Sequence, residues 1–212
     1  MSDNKKHLLC LVVVSLLTGI LGTLAVYRYF PQYLCYTVRD AYTSDLYESR
    51  EQTLGSGLEY TEIFVPRESY VMSIIIRLTG TAEQSQKVIT GKLINEEGKV
   101  IGSSKTLIGR VENSVFCEIP IGKWLKPGER YRLAIVFPEE EELAVTMGPG
   151  DIGPDEHIGA EIDGEPAENS LYLQYVYGSY SKKLLGVWFL VFCLSGYLLG
   201  ECFLFRTGSR RK

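Results

Sequence analysis

LLCLVVVSLLTGILGTLAVYRYF, residues 8–30, holds one ionised side chain, Arg28. LLGVWFLVFCLSGYLLGECFLF, residues 184–205, also holds one, Glu201, four positions from its end. At 1.5 Å per residue either run covers the roughly 30 Å hydrocarbon core of a bilayer. Glu201 lies close enough to the end of its run for the carboxylate to reach the interface. Two buried core helices would be shorter than these runs. The sequence therefore predicts transmembrane helices over 8–30 and 184–205, a cytoplasmic tail over 1–7 and a basic cytoplasmic tail over 206–212.

Basic residues set the orientation. Lys5 and Lys6 precede the first run, and Arg206, Arg210, Arg211 and Lys212 follow the second. Both termini are expected in the cytoplasm, with the central domain extracytoplasmic and the chain in the cell membrane. Between Pro31 and Lys183 there are 15 Lys/Arg and 24 Asp/Glu, a net charge of −9. Such an acidic segment does not suit nucleic acid as a partner. A cleaved signal peptide is the rival to a signal-anchor, since Thr23-Leu24-Ala25 offers small residues at cleavage spacing. The run continues past that point and is long for a signal sequence.

Small residues recur along both runs. Ser15, Gly19 and Thr23 are spaced by four, and Gly196 and Gly200 form a GxxxG. Such faces let helix backbones approach closely. They suit packing of the two helices on each other, or on a multi-span membrane protein. Of five cysteines, Cys10, Cys193 and Cys202 fall in the spans, while Cys35 and Cys117 lie outside. The latter two are readable as one disulfide or as two separate small apolar residues, and no metal spacing is present.

Residues 31–56 are polar, end in Gly55-Ser56-Gly57, and read as a juxtamembrane stalk with a helical tendency over 43–52. A β-rich domain over 57–178 follows. Its clearest segment is RYRLAIVF, residues 130–137, where Tyr131, Leu133, Ile135 and Phe137 share one face. Further strands are expected at 70–79, 87–95, 99–106, 114–119, 142–147, 157–162 and 170–177. Glu96 to Lys99 makes a hairpin turn and Pro127-Gly128-Glu129 a second turn. About nine short strands without an amphipathic helix predict an antiparallel, jelly-roll-like β-sandwich between two transmembrane α-helices.

The order of these segments carries a resemblance. Leu54-Gly55-Ser56-Gly57 leads to Glu62-Ile63-Phe64-Val65; Gly91-Lys92-Leu93-Ile94 and Glu97-Gly98 come next. Phe116 and then Leu125-Lys126-Pro127-Gly128-Glu129-Arg130-Tyr131-Arg132-Leu133 complete the series. Residues 54–178 resemble the jelly-roll sandwiches in exported regions of bacterial, mostly Gram-positive, membrane proteins, many from surface-polysaccharide or glycosyltransferase systems. They are also similar to galactose-binding-like carbohydrate modules. The resemblance implies a fold, and by analogy glycan binding. Members often carry Gln where this chain has Glu62, and no catalytic motif is carried over.

The chain offers little for catalysis. There are two histidines, His7 in the tail and His157 in a loop rich in Gly, Pro, Asp and Glu, which reads as solvated. Paired carboxylates could serve a glycosidase, but no pair stands out in an acidic domain. The loop over 148–165 carries Asp151, Asp155 and Glu156, which read as a solvated acidic loop or as a structural calcium site. Glu139 to Glu142 read as a solvated loop. Trp124, Tyr172 and Gln174 are candidates for a sugar-stacking platform, with core or edge packing as the alternative.

These readings lead to a non-enzymatic, membrane-anchored binding or accessory module without a cofactor. Its expected partners are the lipid bilayer and a cell-surface glycan of an envelope polysaccharide system. The alternative is a structural subunit that recruits a multi-span membrane protein through its helices.

Overall fold

The fold was obtained as a computed structural model, which describes residues 3–39, 50–149, 157–167 and 169–208. The chain divides into two compact units: the terminal segments Met1–Tyr36 with Tyr180–Lys212, and the central Thr37–Ser179.

In the first unit, α1 (Asp3–Tyr29) and α2 (Lys182–Gly208) pack antiparallel. Both are long and apolar enough to cross a membrane. Leu8, Leu16, Leu24, Leu190, Leu194 and Leu198 stay exposed, as helices without an aqueous core would leave them. Contact between the helices is made through small residues. A Cβ on Gly19 would collide with Cys193 and Phe189, and one on Gly22 with Phe192. A Cβ on Gly196 would lie 2.7 Å from Thr18, and one on Gly200 2.8 Å from Leu11. Ser15 Oγ donates to the Cys193 carbonyl at 2.7 Å, a polar link between helices. Thr23 instead bonds back along its own helix, to the Gly19 carbonyl at 2.7 Å. A 3-10 turn, Pro31–Leu34, closes this unit; the Leu34 carbonyl accepts the Ser181 N–H, and the Tyr33 carbonyl accepts Trp188 Nε1–H.

The central unit is antiparallel β-structure. Its strands are β1 (Cys35–Arg39), β2 (Arg50–Leu54), β3 (Glu59–Phe64), β4 (Tyr70–Ile94), β5 (Val100–Trp124), β6 (Tyr131–Val136), β7 (Glu140–Pro149), β8 (His157–Ile162), β9 (Glu165–Pro166), β10 (Asn169–Leu171) and β11 (Leu173–Tyr180). They form one open sheet whose path runs β1-β11-β4-β6-β3-β8-β9, with β5 and β7 also on β4, and β2 and β10 on β7.

Among the described residues eleven strands stand where about nine were expected, and the largest difference lies in β4 and β5. Segments 70–79 and 87–95 are one bent strand, and so are 99–106 and 114–119. Register shifts between Ala82 and Val88 let the paired strands bend without breaking. At the corner Gly80 and Asn113 face each other in register, both at positive φ (115° and 62°). The first half of β4 pairs with β11 and β7, the second with β6. One hairpin thereby serves two layers around a shared core.

That core holds Tyr60 and Phe64 from β3, Ile74, Ile76, Leu78, Ile89 and Leu93 from β4, Leu133 and Ile135 from β6, and Tyr175 and Tyr177 from β11. Gly91 is needed there, because a Cβ would lie 2.7 Å from the Ile119 side chain of β5.

Two other expectations change. Of the helical tendency expected over 43–52, residues 43–49 lie outside the described residues, and 50–52 are not helical: they belong to β2 on the edge of β7, where Leu54 is fully buried. The outermost hydrogen-bonding groups of β7 are satisfied by this pairing, which outweighs a local helical tendency. Glu140 to Glu142 open β7 and are not loop, because the β2 and β4 edges draw the segment into the ladder. The turn at Asn95–Lys99 forms as expected, with Gly98 at φ 78° and Asn95 Oδ1 accepting the Lys99 N–H at 2.8 Å.

Candidate functional site

Strand β3 alternates, so Tyr60, Glu62 and Phe64 point into the core, at 2%, 2% and 1% exposure. A carboxyl group there needs partners, since burying it unsatisfied costs several kcal/mol. Tyr60 donates its hydroxyl to Glu62 Oε2 at 2.5 Å, and Tyr175 of β11 donates to Glu62 Oε1. The Tyr60 oxygen in turn accepts the Leu171 N–H at 3.0 Å, tying in the end of β10. Tyr175 stacks on Phe64 with ring centroids 4.7 Å apart. The polar knot thus joins strands of both layers.

Burial, and then the adjacent Glu62, push the Tyr60 and Tyr175 phenols well above the ordinary tyrosine value. In the unfolded chain both ionise near pH ~10. Above that pH the unfolded state binds fewer protons than the folded one, so stability falls as pH rises. The stabilisation is complete below the unfolded value and is lost toward the raised folded values. In an alkaline titration followed by tyrosinate absorbance, these two phenols are expected to ionise together with loss of β circular dichroism. Smooth ionisation of every tyrosine in the folded state would exclude this role.

A different feature lies on the outer face, where the β4–β5 turn meets the start of β6. A cavity of about 300 Å³ is lined by Ile63, Ile94, Asn95, Glu96, Gly98, Arg130, Tyr131 and Arg132. The register explains its shape: Ile63, Arg132 and Ile94 are direct neighbours across β3, β6 and β4. Two isoleucines form an apolar floor; Arg132 lies on the outer face of β6, and Arg130, just before the strand, also lines the cavity. Both guanidinium groups are exposed, and among the described residues neither takes part in an ion pair or hydrogen bond.

The sugar-platform candidates are not brought together. Trp124 is half-buried against Tyr70, ring centroids 4.9 Å apart. Tyr172 and Gln174 are buried, at 9% and 6% exposure. Register places Gln174 opposite Ile75 and Trp124 opposite Tyr70, so about 15 Å of β4 separates them. Burial raises the Tyr172 phenol, and Arg77 partly opposes it. The calcium candidates Asp151, Asp155 and Glu156 lie outside the described residues. No disulfide joins Cys35 and Cys117; both are buried, and burial pushes the Cys117 thiol up to about 11. Ser15, Gly19, Gly196 and Gly200 lie against the opposite helix, together with Leu11, Thr18 and Gly22, which sequence spacing had not singled out.

No family model matches the chain, and no curated protein does. Among solved structures, similarity is found to the clostridial cysteine protease Cwp84 after propeptide cleavage, at 9% identity and TM-score 0.41, over 68% of this chain and 40% of that one. A second is the cysteine protease and lectin-like domains of Cwp84, a surface-layer-associated protein of Clostridium difficile, at 9% identity and TM-score 0.41, over 68% of this chain and 36% of that one. This chain thus spans about two-fifths of the length of those structures.

Proposed function

We propose that this chain is a non-enzymatic accessory module, held at the cell membrane by its two terminal helices, whose jelly-roll-like β-unit binds a glycan of the cell envelope. Both termini are cytoplasmic in this reading and the β-unit is outside. The observation that carries it is the helix pair: two long apolar helices bracket the β-unit, pack on each other and have basic residues at their outer ends. The glycan part rests on the resemblance of residues 54–178 to exported sandwiches and on the cavity in the β-unit. The rival reading is recruitment of a multi-span protein through the small-residue faces of the helices; in this chain those faces meet each other.

The test is a topology experiment on the full chain. Lys105→Cys, on exposed β5, is placed in a chain whose native cysteines are replaced by alanine. The expected result is labelling by a membrane-impermeant maleimide in intact cells, together with retention of the chain in membranes after alkaline carbonate extraction. Release by carbonate would overturn the anchoring, and labelling only after lysis would overturn the placement of the β-unit outside. A mature N-terminus beyond Ala25 would show a cleaved signal in place of α1.

A further inference from the structure

We infer that the cavity at the β4–β5 turn is an anion site, and that its ligand is an acidic saccharide whose charged group is held by Arg130 and Arg132. This deepens the glycan-binding reading and rests on it.

The segment between the helices is strongly acidic, with a net charge of −9. Against that background, three cations lie here: Arg130 just before β6, Arg132 on its outer face, and Lys92, the next outward position on β4 after Ile94. Among the described residues that line the cavity Glu96 is the single carboxylate, beside two arginines. Among the described residues these two are left unpaired, whereas Arg110 pairs with Glu112 and Lys126 with Glu129.

Arg132 on β6 and Arg130 just before it both line the cavity, and a guanidinium offers a planar fork suited to carboxylate or phosphate oxygens. Beside them, Ile63 and Ile94 offer the apolar surface that the C–H face of a sugar ring needs, and Asn95 adds an amide at the rim. A bare inorganic anion would leave the isoleucine floor unused, and a neutral sugar would leave the guanidiniums unused. A sugar bearing a carboxylate or phosphate uses both.

The experiment is calorimetric titration of the full chain in uncharged phosphatidylcholine nanodiscs. The probes are an oligogalacturonate, glucose 1-phosphate, inorganic phosphate and an uncharged oligogalactose. The acidic saccharides are expected to bind more tightly than inorganic phosphate or oligogalactose, and less tightly as salt increases. R130A/R132A is expected to weaken that binding by at least about tenfold, while R110A leaves it unchanged. The ratio between the two acidic arms tells carboxylate from phosphate.

Absence of binding by both acidic saccharides overturns the inference. So does binding that R130A/R132A does not alter, or that R110A weakens equally. Oligogalactose binding that survives R130A/R132A, with no acidic preference, would overturn this site while sparing the glycan-binding module.

Discussion

Gly80→Ala is expected to destabilise the β-unit by about 3–5 kcal/mol, a large share of the stability a domain of this size usually has. The added methyl would collide with the Glu142 carbonyl oxygen, which is backbone and cannot swing aside. Relieving the clash means separating β4 from β7, which are paired from Leu78 to Gly80, at the corner where the hairpin bends. A φ of 115° adds strain for any L side chain. Thermal unfolding of the full chain in neutral detergent, followed by circular dichroism, reads the effect. Gly98→Ala is the control. It also has positive φ, but a Cβ there meets nothing within 4 Å, so it should cost only about 1–2 kcal/mol. Equal losses would assign the effect to φ alone and remove the corner contact from the account.

The second large effect concerns the buried carboxyl group. Tyr175→Phe is expected to cost about 1–3 kcal/mol, since it deprives a Glu62 oxygen of its donor inside the core. Glu62→Leu should cost about 2–4 kcal/mol by taking the shared acceptor from two phenols. The double variant should lose less than the sum, with a coupling of about 1–3 kcal/mol. Glu62→Gln keeps a carbonyl acceptor in place and should cost far less. Chemical denaturation of the four variants measures the cycle, and additivity would show that Glu62 and Tyr175 do not act as a unit.

Sequence reading reached those features whose cause is local. The two apolar runs emerge as α1 and α2 because a long unbroken series of apolar residues has few other solutions. RYRLAIVF emerges as β6 because its alternation is strict, and the Asn95–Lys99 turn because Gly98 takes a positive φ. Features set by distant partners stayed hidden. The split of 70–94 into two strands fails because the unbroken ladder with β5 carries β4 through the Ala82–Val88 irregularities. Strand β2 owes its existence to the edge of β7, which no local pattern in 50–54 announces. Glu62 was visible only as a departure from the Gln common in the sandwiches this segment resembles; Tyr175, its partner across the core, lies 113 positions away. Arg130 and Arg132 were part of a turn-and-strand signature, but their cavity exists only once Ile63, Ile94 and Asn95 arrive from other strands.

The β4–β5 hairpin has a consequence for the order in which the chain folds. Its residues are contiguous, so its ladder closes over short loops and can zip from the Asn95–Lys99 turn while later segments are still being made. Strand β11, which covers the edge of β4 from Tyr70 to Ile76, comes from the far end of the unit, nearly a hundred residues later. Until Leu173 to Gly178 arrive, a row of unpaired backbone groups on an apolar strand stays open to any other extended chain. The interval between synthesis of the hairpin and of β11 is therefore the period of greatest aggregation risk, and slowing elongation after Trp124 should increase misassembly more than slowing it before Tyr70.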